Sequence, residues 1–146
     1  MNTKKILVVD DDLGILKSFE TILKKRGYEV ETAATAKDGI KLIKKTAFNA
    51  ALLDIKLPDK DGTEVLKEIR KIRPGMIKIM ITGFADIDNA VQSLNLGANA
   101  YIMKPVNPDE LLRLLEEKLS EQEKNEMLTD DRISQWIEDR LNQLDE

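Results

Sequence analysis

The chain of 146 residues contains neither cysteine nor histidine, and only 4% of it is aromatic. Without cysteine there are no disulfides, thiolate metal sites or thiol nucleophiles, which fits a reducing compartment. Without histidine there are no Ser-His or Cys-His triads and no imidazole-ligated zinc. No stretch approaches the roughly 20 apolar residues that span a bilayer. The apolar run within Met1-Asn-Thr-Lys-Lys-Ile-Leu-Val-Val-Asp10 is too short for a signal peptide. A soluble, cytoplasmic protein with no membrane partner is the expectation. Long basic runs are also missing and the formal charge is −4, so this chain is not expected to bind nucleic acid by neutralising phosphates.

What is present is aliphatic and charged, 42% hydrophobic and 34% Asp, Glu, Lys and Arg, enough for one domain of common size with an appendage. Ile6-Leu-Val-Val9 is a β-rich run that stops at Asp10, Asp11 and Asp12. From Leu13 to Arg26 the period becomes helical, with Leu16, Phe19, Ile22 and Leu23 on one face and Gly27 placed to end it. Tyr28 to Ala33 alternates like a half-exposed strand at a sheet edge, and Thr35-Ala-Lys-Asp38 reads as a capping box for a helix that turns Ala36, Ile40 and Ile43 inward. Ala50 to Asp54 is an apolar strand ending on a carboxylate. A third helix from Gly62 to Arg73 follows, with Val65, Leu66, Ile69 and Ile72 as its stripe. Met76 to Ile81 is a fourth strand, Asp86 to Leu96 a fourth helix, and Ala100 to Met103 a fifth strand stopping at Lys104-Pro105. Pro108 opens a long helical segment through Leu111, Leu112, Leu114, Leu115 and Leu119. After Leu119 the chain turns strongly polar, and Thr129-Asp-Asp-Arg132 looks like a fresh helix start before Ile133, Trp136, Ile137, Leu141 and Leu144.

Five alternations of strand and helix with short links predict an α/β fold, a doubly wound parallel sheet with helices on both faces. In such sheets the chemistry gathers at the carboxyl ends of the strands. Those ends carry Asp10 and Asp11, Asp54, Thr82 and Lys104. If the first and third strands are neighbours, three carboxylates converge, and leaving all of them ionised without a counter-charge costs several kcal/mol. A divalent cation removes that cost. With oxygen donors alone, Mg²⁺ is the natural ion, and Mn²⁺ is able to substitute. A carboxylate beside Mg²⁺, with a lysine and a threonine nearby, is equipped to accept a phosphoryl group.

The ordered set Val8-Val-Asp10-Asp11, Leu52-Leu-Asp54, Leu57-Pro58-Asp-Lys-Asp61-Gly62, Ile81-Thr82-Gly83 and Gly97-Ala98 leading to Lys104-Pro105 resembles the receiver domain (CheY-like) of two-component response regulators. The resemblance covers about residues 4 to 122. It implies a flavodoxin-like, five-stranded sheet of order 2-1-3-4-5, a receiver domain over residues 1–122, and a C-terminal helical extension or linker over residues 123–146. It makes Asp54 the phosphoacceptor, and Asp10 and Asp11 the metal acids. The Lys56 backbone carbonyl is a further metal ligand. Lys104 contacts the phosphoryl group, aimed inward by a cis Lys104-Pro105 bond, and Thr82 and Tyr101 are the pair that rearranges on phosphorylation. Asp12 falls outside the family's pair and is excluded as a ligand. The implied activity is that of a signalling switch with Mg²⁺-dependent self-phosphorylation and self-dephosphorylation only, and not of an enzyme. The implied partners are a sensor histidine kinase or phosphotransfer protein. A homodimer through the fourth helix, fifth strand and fifth helix, or through the C-terminal helix, is a further expectation. Lys56 and Phe84 are the expected residues at the pocket mouth, where they bear on the lifetime of the phosphoryl group.

Taken singly, these residues have plainer explanations. Asp10 to Asp12 can cap the first helix, Thr82 can be a strand-end hydroxyl, Tyr101 edge packing and Lys104 a solvated charge. Asp59-Lys-Asp61-Gly62-Thr63 also matches the Asp-x-Asp-Gly-Thr nucleophile motif of haloacid-dehalogenase-like phosphatases. There the first Asp directly ends an apolar strand, whereas here Leu57-Pro58 intervenes. A phosphohydrolase working through Asp59 or Asp54, and a receiver-like scaffold that is never phosphorylated, are the alternatives of other classes. An EF-hand loop fails, because Leu57 stands where an acid or amide is needed. The apolar face from Ile133 to Leu141 can fold back on the domain, pair with another subunit, or lead into a longer chain.

Overall fold

A computed structural model describes residues 3–83 and 87–144. Phe84 and Asp86, both singled out from the sequence, lie outside the described residues. The elements run β1 (Lys5–Val9), α1 (Leu13–Lys25), β2 (Glu29–Ala33), α2 (Ala36–Lys45), β3 (Ala50–Asp54), α3 (Gly62–Ile72), β4 (Ile77–Thr82), α4 (Ile87–Asn95), β5 (Ala100–Met103) and α5 (Pro108–Leu144). The strands form one parallel sheet of order β2-β1-β3-β4-β5, the flavodoxin-like arrangement. Its order reverses between β1 and β3, the place where open α/β sheets build their sites.

The period of two along each strand divides the core. Ile6, Val8, Ala50, Leu52, Ile77, Ile79 and Ile81 face Leu16, Phe19 and Leu23 of α1 and Leu111, Leu115 and Leu119 of α5. Leu7, Val9, Ala51, Leu53 and Met80 face Ile40 and Ile43 of α2 and Val65, Leu66 and Ile69 of α3. β3, with a helix layer on each side, is buried at every position, as its unbroken apolar run requires. Edge strand β2 is only partly buried, in keeping with its alternation. Gly27 and Gly97 take φ of +99° and +105° at the ends of α1 and α4, where a side chain would be strained.

Two readings of the C-terminal region change. No break separates Leu119 from Thr129, because α5 is one helix of 37 residues. The polar stretch is rich in Glu, Gln and Lys, contains no Pro or Gly, and propagates the helix instead of ending it. Thr129 lies inside the helix, its hydroxyl donating to the Asn125 carbonyl one turn back at 3.0 Å. The composition shift marks where the helix leaves the domain. Leu119 is the last buried residue among those described, and Gln122 donates to the carbonyls of Asn49 and Gly75 at 3.1 and 2.8 Å. Beyond it Ile133, Trp136, Ile137, Leu141 and Leu144 are all exposed and do not fold back on the sheet.

Candidate functional site

The carboxyl end of β1 delivers two acidic side chains, and the ends of β3, β4 and β5 one charged or hydroxyl side chain each. Asp10 directly follows β1, where its amide donates to the Ala33 carbonyl at 3.1 Å. Asp54 is the last residue of β3 and Thr82 the last of β4. Lys104 follows β5, with its amide on the Thr82 carbonyl at 2.7 Å. β1 and β3 are hydrogen-bonded neighbours, so the condition for convergence is met. One carboxylate oxygen from each of Asp10, Asp11 and Asp54 lies within 4.8 Å of the others. Asp10 and Asp54 are buried, and Asp11 is exposed at the mouth.

The electrostatics follow from burial. Asp54 Oδ1 accepts from the Lys56 amide at 3.1 Å, and its Oδ2 stands 3.3 Å from Lys104 Nζ. Asp10 Oδ1 accepts from the Asp12 amide at 2.9 Å. Its Oδ2 is buried without a hydrogen-bond partner, the Lys104 ammonium lying 3.6 Å away. Burial, more than anything else, raises the Asp10 pKa above its ordinary value. The Asp12 amide offsets part of this, and the charges of Asp54 and Asp11 add to it. For Lys104, burial works against the charged form, but the carboxylates of Asp54 and then Asp10 outweigh it and hold the ammonium above the usual lysine value. The Lys104-Pro105 peptide bond is cis.

A buried carboxylate oxygen left without a partner costs on the order of 1–3 kcal/mol, more when charged. Here it faces two further carboxylates, and every donor is a hard oxygen. That set fits an oxygen-loving divalent cation such as Mg²⁺ and no soft metal.

The neighbouring acids have other work. Asp12 is the N-cap of α1, its Oδ1 accepting from the amides of Gly14 and Ile15 at 2.9 and 3.2 Å. The capping explanation therefore applies to Asp12, while Asp10 and Asp11 turn to the cluster. Asp61 caps α3 in the same way through the Thr63 amide at 2.9 Å. Both oxygens of Asp59 are taken, by the amides of Ala36 and Lys37 at 2.9 Å each, at the start of α2. Those two bonds hold the Asp59 carboxyl below its ordinary range. Asp59 is thus a long-range cap of α2, its carboxylate bound to that helix and absent from the cluster formed by Asp10, Asp11 and Asp54. The sequence shows the acid in its loop, but a partner 23 residues upstream leaves no local signal.

Thr82 is fully buried, its hydroxyl on the Gly83 carbonyl at 3.1 Å. Tyr101 is half-buried against the α2–α3 core layer. Gly62 passes so close to β3 that a Cβ there would meet Ile55 Cα at 2.8 Å and its carbonyl oxygen at 2.9 Å. This contact brings the loop after Asp54 back against the strand it has just left, and the Gly62 amide donates to the Ile55 carbonyl at 2.7 Å.

Known proteins share this fold. The family described as response regulator receiver domain matches residues 6–116. The probable transcriptional regulator ycf27 of Cyanophora paradoxa is 40% identical over 111 residues, which make up 76% of this chain and 46% of that protein. The alginate biosynthesis transcriptional regulatory protein AlgB of Pseudomonas putida is 36% identical over 110 residues, 75% of this chain and 25% of that one. The chain therefore spans about half the length, or less, of these relatives. Among solved structures, a response regulator receiver domain protein (CheY-like) from Methanospirillum hungatei is 59% identical with a TM-score of 0.82, covering 85% of this chain and 99% of that one. NtrX from Brucella abortus, crystallised with ADP, is 33% identical with a TM-score of 0.84, covering 88% of this chain and 30% of that one.

Proposed function

The chain belongs to the response regulator receiver domain family, and on that footing we propose that it is a cytoplasmic phosphorylation-dependent switch with Asp54 as phosphoacceptor. The observation that carries the reading is the placement of the Asp54 carboxylate at a strand end, among Asp10 and Asp11 and 3.3 Å from the Lys104 ammonium. The donor is a sensor histidine kinase or a phosphotransfer protein. An Asp54 oxygen attacks the phosphorus and forms the new O–P bond. The bond from phosphorus to the donor's leaving atom breaks, and its electron pair stays with the donor.

Asp10, Asp11, Asp54 and the Lys56 backbone carbonyl are the residues that would hold Mg²⁺, or Mn²⁺ in its place. Bound there, the ion supplies positive charge to the phosphoryl oxygens. Lys104, 3.3 Å from Asp54 Oδ2, would supply a second positive charge to the phosphoryl group. The Thr82 hydroxyl leaves the Gly83 carbonyl for a phosphoryl oxygen, and Tyr101 turns into the space it vacates. The face made by α4, β5 and α5 changes its preference for partners accordingly. A second copy of the chain, through this face or through the exposed half of α5, is one such partner. Residues 1–122 form the receiver unit, and residues 123–146 its helical extension.

Incubation with Mg²⁺ and acetyl phosphate is expected to add the mass of one phosphoryl group, and Asp54→Asn to abolish the gain. Sustained turnover of phosphate esters that survives Asp54→Asn would overturn the switch in favour of a phosphohydrolase.

A further inference from the structure

The loop that leaves Asp54 has little apolar anchorage of its own. Lys56, Pro58, Asp59 and Asp61 are exposed, and between Ile55 and Gly62 only Leu57 is buried. Its two stems meet through the Lys56–Asp61 bridge and the Gly62 amide on the Ile55 carbonyl. Its tip is held differently. Lys60 pairs with Glu68 of α3 at 2.5 Å, and the Asp59 carboxylate reaches across to α2, where each oxygen accepts one main-chain amide.

The start of α2 is also tied to the far side of the pocket. Ala33, at the end of β2, accepts the Asp10 amide at 3.1 Å, and Gly39 of α2 packs against Val9, with room for no Cβ beside it. The segment that Asp59 grips is thus built onto the strand ends that carry Asp10. On the near side, Lys56 follows Asp54 by two residues and donates its amide to Asp54 Oδ1.

We propose that Asp59 is a positioning residue of this pocket: its carboxylate latches the loop after β3 to the start of α2, and so fixes the Lys56 amide and carbonyl relative to Asp54 and Asp10. The effect on cation binding rests on the phosphoacceptor reading above, whereas the effect on the Lys56 amide does not. The latch uses two charge-assisted bonds to an exposed carboxylate, so its loss releases the loop without opening the core.

Thr35 supplies the control, because its hydroxyl caps the same helix from within, accepting from the Asp38 amide at 3.1 Å, whereas Asp59 caps it from the loop. Asp59→Ala, Asp59→Asn and Thr35→Ala are compared in the full chain by two measurements. Amide hydrogen exchange without metal is expected to accelerate at Lys56 by threefold or more in Asp59→Ala, less in Asp59→Asn, and not at all in Thr35→Ala. Calorimetric titration with Mg²⁺ is expected to show a threefold to tenfold weaker affinity in Asp59→Ala, with Thr35→Ala within twofold of the parent. Lys56 exchange unchanged in Asp59→Ala, or accelerated equally in Thr35→Ala, overturns the latch. A parent chain that takes up no Mg²⁺, but whose Lys56 exchange responds as stated, overturns the phosphoacceptor reading and leaves the latch standing. Accelerated exchange in Asp59→Ala with unchanged Mg²⁺ affinity overturns the link from latch to cation.

Discussion

Lys104 Nζ lies 3.3 Å from Asp54 Oδ2 and 3.6 Å from Asp10 Oδ2, making it the one ammonium that the described residues bring to both buried acids. Lys104→Met leaves those carboxylates facing each other without a counter-charge. Lys104 is about one-third exposed, so solvent screens part of the loss. The expected cost to the metal-free chain is about 1 kcal/mol, well short of a fully buried pair. Mg²⁺ supplies the missing positive charge and is expected to shrink the difference. Thermal unfolding of parent and variant in EDTA and in saturating Mg²⁺ measures this. A deficit of the same size in both media would mean that Lys104 is not exchangeable with a cation at this site.

Lys78 presents the opposite situation. It sits on β4, only 4% exposed, and burial lowers its pKa below the ordinary 10.5, with the charge of Arg70 adding to the effect. A lysine whose folded pKa is depressed binds its proton more weakly in the native chain than in the unfolded one. Its charge therefore costs stability at every pH below the folded pKa, and the cost disappears as pH rises from the folded value past 10.5. Lys78→Met is expected to be more stable than the parent by on the order of 1 kcal/mol at pH 7. The gap narrows as pH rises through that window. Urea unfolding at pH 7 and at a series of alkaline pH values checks both the sign and the trend.

The core and the strand ends were legible because both depend on local pattern. The apolar runs ending on Asp10 and Asp54 and the helical stripes of α1 and α3 are properties of neighbouring residues, and the structure places them within a residue or two of their expected bounds. Thr82 is reached by β4 itself, because the ladder to Met103 extends the strand by one residue. Three things were not legible. Asp59 spends its carboxylate on amides of α2, Gln122 spends its side chain on the carbonyls of Asn49 and Gly75, and Lys78 is buried through sheet position alone. Each depends on residues brought together by the fold across more than twenty positions, or on which face of a strand a helix covers. The break expected near Thr129 had a further cause. A polar composition reports solvent, and a helix that projects into solvent is polar without ending.

That projection makes the boundary at residue 122 testable. α5 gives the domain Leu111, Leu115 and Leu119, and its last tie to the sheet end is Gln122. The helix beyond contributes no buried residue, so removing it takes away exposed helix and almost none of the area that stabilises the fold. A chain ending at Glu123 is expected to lose helical circular dichroism in proportion to the missing turns. Its thermal midpoint should stay within roughly 4 °C of the parent, the shift that about 1 kcal/mol produces in a domain of this size. Ending the chain at Glu121 removes the Gln122 clamp as well, and should cost a further ~1 kcal/mol for the two hydrogen bonds lost. A large fall in the midpoint already at Glu123 would show that the exposed stripe from Ile133 to Leu144 is covered in solution, and that sedimentation of the parent chain should find it associated.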